Sequence, residues 1–351
     1  MDEKFSTATA ASPLALNVAE DILRVDNLKM YFPVTKGLLK RTVGYVKAVD
    51  DVSFTVKRGQ TLGVVGESGC GKSTLGKAIV RRHKPTEGKI LFNGRDMASA
   101  DAGALRLYHK DMQMITQDPY AALDPRMSIR SIVLEGAHIQ GLDRHWTEQQ
   151  KNELVERMLS MVGIHPGFSD RYPHEFSGGQ RQRINIARAL AVHPSFLICD
   201  EIVSALDVSI QAQIVTLMMD IQKELGLTYI FIGHDLSVVR HVSDTVAVMY
   251  LGRFVELTAS DELYDRPLHP YTQALISAAP IPDPEADLRR ERILLEGEVP
   301  SALHPPAGCP FCTRCRYAQE RCHREIPAPR EVLPGHFVAC HRVTEGGEWL
   351  G

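Results

Sequence analysis

No stretch of this chain stays apolar for anything like the ~18 residues a helix needs to cross a bilayer. Residues 1–20 lack the basic start and apolar centre of a secretion signal, and their Ala/Ser/Thr bias predicts a frayed tail. Excess positive charge is missing too. The net charge of −3 gives no global pull toward nucleic acid or acidic lipid. No internal repeat of solenoid length is present. These absences predict a cytosolic protein that meets a membrane only through a partner. The 351 residues leave room for one large and one small domain, and 44% apolar content suits a globular core.

Cysteine is scarce except at one end. Cys70 and Cys199 sit in apolar surroundings and read as packing residues. Cys309, Cys312, Cys315, Cys322 and Cys340 crowd into the last part of the chain. In a reducing compartment such a cluster reads as a metal site before it reads as disulfides. The Cys309-x-x-Cys312-x-x-Cys315 spacing is similar to a bacterial ferredoxin run. Tetrahedral zinc is the alternative, since four thiolates suit Zn²⁺ equally well.

What the chain does have is a complete phosphate-binding loop: Gly66-Glu67-Ser68-Gly69-Cys70-Gly71-Lys72-Ser73-Thr74. Its glycines let backbone N–H groups close around phosphates. Lys72 can reach the β/γ oxygens, and Ser73 can offer its hydroxyl to Mg²⁺. The apolar run Thr61-Leu62-Gly63-Val64-Val65 precedes the loop and a helical pattern follows Thr74. A phosphate there meets unpaired N–H groups at a helix N-terminus. Further on, Phe196-Leu197-Ile198-Cys199 ends in Asp200-Glu201. An acid at a strand end can bind Mg²⁺, and a second can polarise the attacking water. Gln117 follows Met114-Ile115 and can join a metal or water shell. His234 ends the run Tyr229-Ile230-Phe231-Ile232-Gly233, where it can reach a γ-phosphate.

Short β-type runs fill residues 21–117, and Asn93-Gly94 marks a tight turn. Residues 119–174 turn helical, with Leu154, Met158, Met161 and Val162 at helical spacing. Strands at 196–199, 228–232 and 245–249 then alternate with helices such as 210–225. This alternation predicts an α/β fold with a parallel sheet covered on both faces. Proline becomes frequent after Pro267, which places a boundary near residues 260–270. The expected division is a tail at 1–20, an ATPase domain at 21–262 with a helical subdomain at about 118–180, and a C-terminal extension at 263–351.

These motifs, together with Phe176-Ser177-Gly178-Gly179-Gln180 and Ser204-Ala205-Leu206-Asp207, stand in an order that resembles an ATP-binding-cassette (ABC) transporter ATPase. The resemblance covers about residues 21–256. It implies a phosphate-loop ABC cassette with a helical subdomain, a catalytic Glu201, a switch His234 and a Mg²⁺ shell of Ser73, Gln117 and Asp200. It also implies that Ser177, Gly178, Gly179 and Gln180 of one subunit complete the ATP site of another. Phe32 is the first candidate to stack on adenine and Tyr31 the second. The chain departs from the family at Phe176, where Leu is commoner, and at Ile202, where Pro is usual. Losing a proline frees φ and could loosen the turn after the acids.

The segments Arg266-Pro267-Leu268-His269-Pro270-Tyr271 and Tyr120-Ala121-Ala122-Leu123-Asp124-Pro125 are similar to the dipeptide and oligopeptide importers of that family. That narrower resemblance implies a [4Fe–4S] cluster on Cys309, Cys315, Cys322 and Cys340, with Cys312 extra. It implies a second, paralogous ATPase subunit in a heterodimer, two membrane permeases and a periplasmic or lipid-anchored substrate-binding protein. The chain would then sit on the cytoplasmic face of a bacterial inner membrane. Tyr120 and Leu123 are candidate contacts for a permease helix. Competing readings are the same motor with another cargo (nickel, glutathione, a peptide antibiotic), a DNA-repair ATPase, or a translation factor. DNA-repair relatives carry long coiled coils or zinc insertions between loop and signature, and translation factors carry two cassettes. This chain has neither, and its charge is not basic.

Overall fold

The computed structural model describes residues 21–37, 41–279 and 292–349. The proposed tail at 1–20 lies outside them. A four-stranded antiparallel sheet has the order β2-β1-β4-β5: β1 Asp21–Lys36, β2 Arg41–Lys57, β4 Glu87–Phe92 and β5 Arg95–Asp96. An eight-stranded sheet has the order β11-β12-β10-β9-β3-β8-β7-β6. Its centre is β3 Thr61–Val65, β8 Thr228–Ile232, β7 Phe196–Asp200 and β6 Met112–Ile115, all parallel, with β9 Thr245–Tyr250 parallel to β3 on the other side. The parallel core is the one expected from strand–helix alternation.

Alternation along each strand splits the core in two. Leu62, Val64, Ile198, Ile230, Ile232, Ala247 and Met249 face the four-stranded sheet and helix α1 (Lys72–Ile79). Val65, Leu197, Cys199, Tyr229, Phe231, Val246 and Val248 face the helices on the other side. Successive side chains in a strand point to opposite faces, so strands buried on both sides read as unbroken apolar runs. Asn93 and Gly94, at φ 49° and 74°, make the tight turn from β4 to β5. At the far end of β1 and β2, Pro33 lies opposite Tyr45 and Lys36 opposite Arg41.

The helical region holds α2 (Ala102–Asp111), α3 (Pro119–Ala122), α4 (Ile129–Gln140) and α5 (Glu148–Met161). Thr147 and Gln150 form a capping box at the start of α5, and Leu154, Met158 and Val162 are buried as their spacing predicts. Helix α6 (Gly178–Leu190) begins inside the signature motif and runs well past residue 180. Helices α7 (Val208–Leu225) and α8 (Leu236–Val242) complete that face. Asp207 caps α7 and Gly226, at φ 65°, ends it.

The C-terminal residues share the main sheet. Strand β10 (Arg253–Ala259) pairs with β9, and β12 (His336–Val338) pairs with β10 through Glu256–Val338 and Leu257–Phe337. Strand β11 (Arg330–Leu333) closes the hairpin. Helices α9 (Ser260–Asp265) and α10 (Pro270–Ala278) lie between. A single buried carboxylate ties these parts together. Glu256 accepts from Leu268 N at 2.7 Å, from His269 N at 2.9 Å and from His336 Nε2 at 2.8 Å. Burial pushes the His269 ring down to about 3, so its Nδ1 stays an acceptor and caps α10 through Tyr271 N.

Glu256→Ala leaves three buried donors without a partner. It should cost about 3–5 kcal/mol and loosen residues 330–338. Urea unfolding and limited proteolysis would check this, with Glu256→Gln, which keeps two acceptor lone pairs, expected to lose much less.

Candidate functional site

Strand β3 ends at Val65 in the middle of the sheet, and the phosphate loop leads from it straight into α1. Gly66 and Gly71 have φ of 153° and 111°. A Cβ on Gly66 would lie 2.2 Å from Met249 O, and one on Gly71 would lie 2.0 Å from Ala48 O. Only glycine fits either place, by dihedral and by space. No side chain caps the N-terminus of α1, so its first N–H groups remain for a ligand.

Lys72 is buried. Its Nζ donates to Gly66 O at 2.7 Å and to Glu67 O at 3.1 Å, and stands 4.0 Å from Glu201 Oε1. Ser73 Oγ donates to Asp200 Oδ1 at 2.8 Å. Burial raises the Asp200 carboxyl above its usual range, against the pull of Ser73 and the nearby lysines. Gln117 Nε2 donates to Glu201 Oε2 at 2.9 Å, and His234 Nδ1 is 3.9 Å from that oxygen. Five predicted residues thus meet at one point: Lys72, Gln117, Asp200 (through Ser73), Glu201 and His234.

Glu201 adopts φ 50°, a strained angle for a non-glycine residue. The turn is held regardless of the missing proline. Glu201 N donates to Ile232 O at 2.9 Å, Ser204 N and Oγ donate to Glu201 O at 3.1 and 2.9 Å, and Ile202 is buried.

Ser68, Gly69, Cys70, Gly71, Lys72, Ser73, Thr74, Gln117 and Glu201 line a cleft of about 250 Å³. Its other wall is Val46, Lys47, Ala48, Leu251, Gly252 and Ala302. Sequence reasoning missed these residues because strand pairing and a distant C-terminal segment bring them in. Lys47 N donating to Ala302 O at 3.1 Å is the link. A larger cavity of about 570 Å³ lies between β1, β2, β10 and Phe337 and holds none of the chemical groups above.

The signature residues stand outside this cleft. Ser177 caps α6 in a capping box, accepting from Gln180 N at 3.3 Å while Gln180 Oε1 accepts from Ser177 N at 3.0 Å. Gly178 and Gly179 form the first turn, against Tyr120, Leu206 and Ile210. Tyr120 is 60% exposed, with the Arg181 guanidinium 4.2 Å from its ring centre. Leu123, expected as a contact, is buried in the core and cannot touch a partner. Phe32 does not line the cleft. Its ring meets His83 edge-on at 5.5 Å, and Tyr31 bonds to Asp50.

All seven cysteines are free thiols. Among the described residues, no three Cys, His, Asp or Glu side chains are grouped to hold a metal. The expected ligands Cys309, Cys315, Cys322 and Cys340 are therefore not gathered on one point. Burial pushes the Cys309 thiol up to about 12 and the Cys340 thiol up to about 11. The sulfurs are nonetheless neighbours: Cys309 senses the charges of Cys340, Cys322 and Cys312, and Cys315 those of Cys322 and Cys312.

Comparison with known proteins agrees with this geometry. A family model described as ABC transporter matches residues 49–204, and one described as Oligopeptide/dipeptide transporter, C-terminal region, matches residues 255–322. The chain is 56% identical over 323 residues to the oligopeptide transport ATP-binding protein AppF of Bacillus subtilis, spanning 92% of this chain and 97% of that one. It is 50% identical over 325 residues to "Probable peptide ABC transporter ATP-binding protein y4tS" of Sinorhizobium fredii, spanning 92% and 90%. Among solved structures, cbiO1 of Clostridium perfringens, part of the ABC transporter complex cbiONQ, superposes with a TM-score of 0.60 at 29% identity, over 70% of this chain and 92% of that one. Site, fold and relatives converge: the chain belongs to the ABC transporter ATPases, among the ATP-binding subunits of the oligopeptide/dipeptide family.

Proposed function

We propose that this ATPase drives a bacterial importer of di- and oligopeptides. One observation carries the motor: Lys72, Ser73, Gln117 and Glu201 line one phosphate-sized cleft, with Asp200 bonded to Ser73 and His234 3.9 Å from the Glu201 carboxylate. The match of residues 255–322 and the 56% identity to an oligopeptide transport protein support the cargo.

In this reading the loop N–H groups and Lys72 hold the β- and γ-phosphates. Lys72 exchanges its bonds to Gly66 O and Glu67 O for phosphate oxygens. Ser73 Oγ, the Asp200 carboxylate and the Gln117 amide oxygen form an oxygen-rich set that suits Mg²⁺. When bound, that ion neutralises charge on the phosphate oxygens. Glu201 polarises the attacking water, and His234 steadies the γ-phosphate from the same side. Phosphoryl transfer needs mainly positioning and charge stabilisation, which these groups supply.

Lys72→Ala should weaken ATP binding and lower turnover roughly a hundredfold or more. Glu201→Gln keeps the shape, so it should bind ATP, fail to hydrolyse it and accumulate as a closed dimer. Phosphate-release assays and sizing with ATP would test both. Normal hydrolysis by Glu201→Gln would remove Glu201 from the catalytic role.

The family resemblance assigns Ser177, Gly178, Gly179 and Gln180 to the ATP site of a second subunit, and their place outside their own chain's cleft suits that role. We assign that subunit to a paralogue in a heterodimer. Likeness to peptide importers supports two permease subunits and a substrate-binding protein as partners. The chain then works at the cytoplasmic face of the inner membrane. The exposed Tyr120, next to Arg181 and the signature turn, is the proposed permease contact. Tyr120→Glu should cut transport at least severalfold in reconstituted vesicles while basal ATPase activity survives. Equal loss of both activities would argue for a packing role.

Residues 263–351 form the importer-type extension, beside the 21–262 cassette. For the cysteines we retain a [4Fe–4S] cluster on Cys309, Cys315, Cys322 and Cys340. Support comes from donor chemistry: four thiols free of disulfides within residues 309–340. Anaerobic purification with iron, sulfide and zinc analysis should find iron and sulfide in equal amounts. Stoichiometric zinc without sulfide would replace the cluster by Zn²⁺, and a full cluster in Cys315→Ser would overturn the ligand set.

A further inference from the structure

Glu67 is the second residue of the phosphate loop, and the C-terminal segment holds it from two sides. Its backbone N–H donates to Tyr271 Oη at 2.8 Å. Its carboxylate is bridged by Arg314, whose Nη1 donates to one oxygen at 2.8 Å and to the other at 3.2 Å. The Glu67 carbonyl in turn accepts from Lys72 Nζ at 3.1 Å and from Cys70 N at 3.3 Å. Tyr271 and Arg314 therefore grip the residue that helps aim the phosphate-binding lysine.

The grip is stiff. Tyr250 on β9, Tyr271 on α10 and Phe311 in the tail are fully buried, with ring centres 4.6, 5.2 and 5.4 Å apart. The Arg314 guanidinium lies 6.0 Å from the centre of the Tyr250 ring. Its side chain is 8% exposed against 28% for Glu67, so the pair is partly shielded from water. Electrostatics give the arrangement a purpose beyond packing. Glu67 adjoins Ser68, which lines the cleft that must accept a polyanion. An uncompensated carboxylate there would repel phosphate, and a partly shielded like charge is costly.

We propose that Arg314 and Tyr271 are positioning residues for ATP. Arg314 neutralises Glu67 and, with Tyr271, pre-sets the phosphate loop before nucleotide arrives. The C-terminal segment thereby tunes nucleotide affinity from outside the cassette motifs. This goes beyond the motor reading and is independent of cargo and of what the cysteines bind.

The test uses the full chain, with MgADP binding by calorimetry, steady-state ATPase kinetics and thermal unfolding. Arg314→Gln should weaken MgADP binding and raise KM for ATP about fivefold to tenfold. The change in kcat should stay within about twofold, because bound phosphates then hold the loop themselves. Arg314→Lys should recover most of the affinity, since one nitrogen makes the observed bridge. Adding Glu67→Gln to Arg314→Gln should also restore affinity by removing the unpaired charge. A folded Arg314→Gln that unfolds at lower temperature yet keeps its MgADP affinity and KM would overturn the proposal. So would a double variant that binds no better than Arg314→Gln alone. If Arg314→Gln does not fold, Tyr271→Phe decides. It keeps the ring and loses one hydroxyl, and should weaken MgADP about twofold to threefold; unchanged affinity would overturn the proposal.

Discussion

A buried lysine ammonium sets the terms for the rest of this structure. Lys72 must stand at the mouth of the phosphate loop without water, and an unpaired buried charge is too costly to keep. Two loop carbonyls, Gly66 O and Glu67 O, satisfy it at 2.7 and 3.1 Å, and Glu201 faces it at 4.0 Å. Those carbonyls point inward only because the loop follows dihedrals that glycine alone adopts at Gly66 and Gly71. The loop can hold that path because β3 is buried in mid-sheet and α1 packs behind it. The lysine bonds are also exchangeable. Phosphate oxygens can replace the carbonyls without a new cation having to move in.

The acid end of the site is held by opposite means. Asp200 belongs to β7 and is fixed by the sheet, whereas Glu201 lies just beyond it at φ 50°. Such a conformation costs of order 1–3 kcal/mol and persists only where neighbours impose it. Ile232 O, Ser204 and buried Ile202 do so. The strain turns the Glu201 carboxylate toward Lys72, Gln117 and His234 instead of along the strand. A proline after the acids is one way to brace such a turn, and this chain braces it with hydrogen bonds and burial.

The C-terminal residues extend the cassette's own sheet. Strand β12 pairs with β10, and Phe311 completes an aromatic cluster with β9 and α10. Arg314, between Cys312 and Cys315 in sequence, reaches from that segment to the phosphate loop.

Local chemistry was legible in the chain itself. A glycine-rich loop between strand and helix, acids at a strand end and alternating strand and helix are short-range patterns, and each maps onto β3, α1, β7 and the parallel sheet. The caps Ser177, Thr147 and Asp207 are equally local, each bonding within three residues of itself, although the sequence reading did not single them out as helix starts. Tertiary structure decided everything that depends on distant segments meeting. It buried Leu123 while leaving Tyr120 exposed, although both lie in one short stretch. It turned Phe32 toward His83 and gave the cleft a wall of Lys47, Leu251 and Ala302. It brought Arg314 to Glu67 across 247 positions of sequence. Periodicity records which face of an element is apolar, but not which remote element covers it, and so the sequence named the candidate groups while packing chose their neighbours.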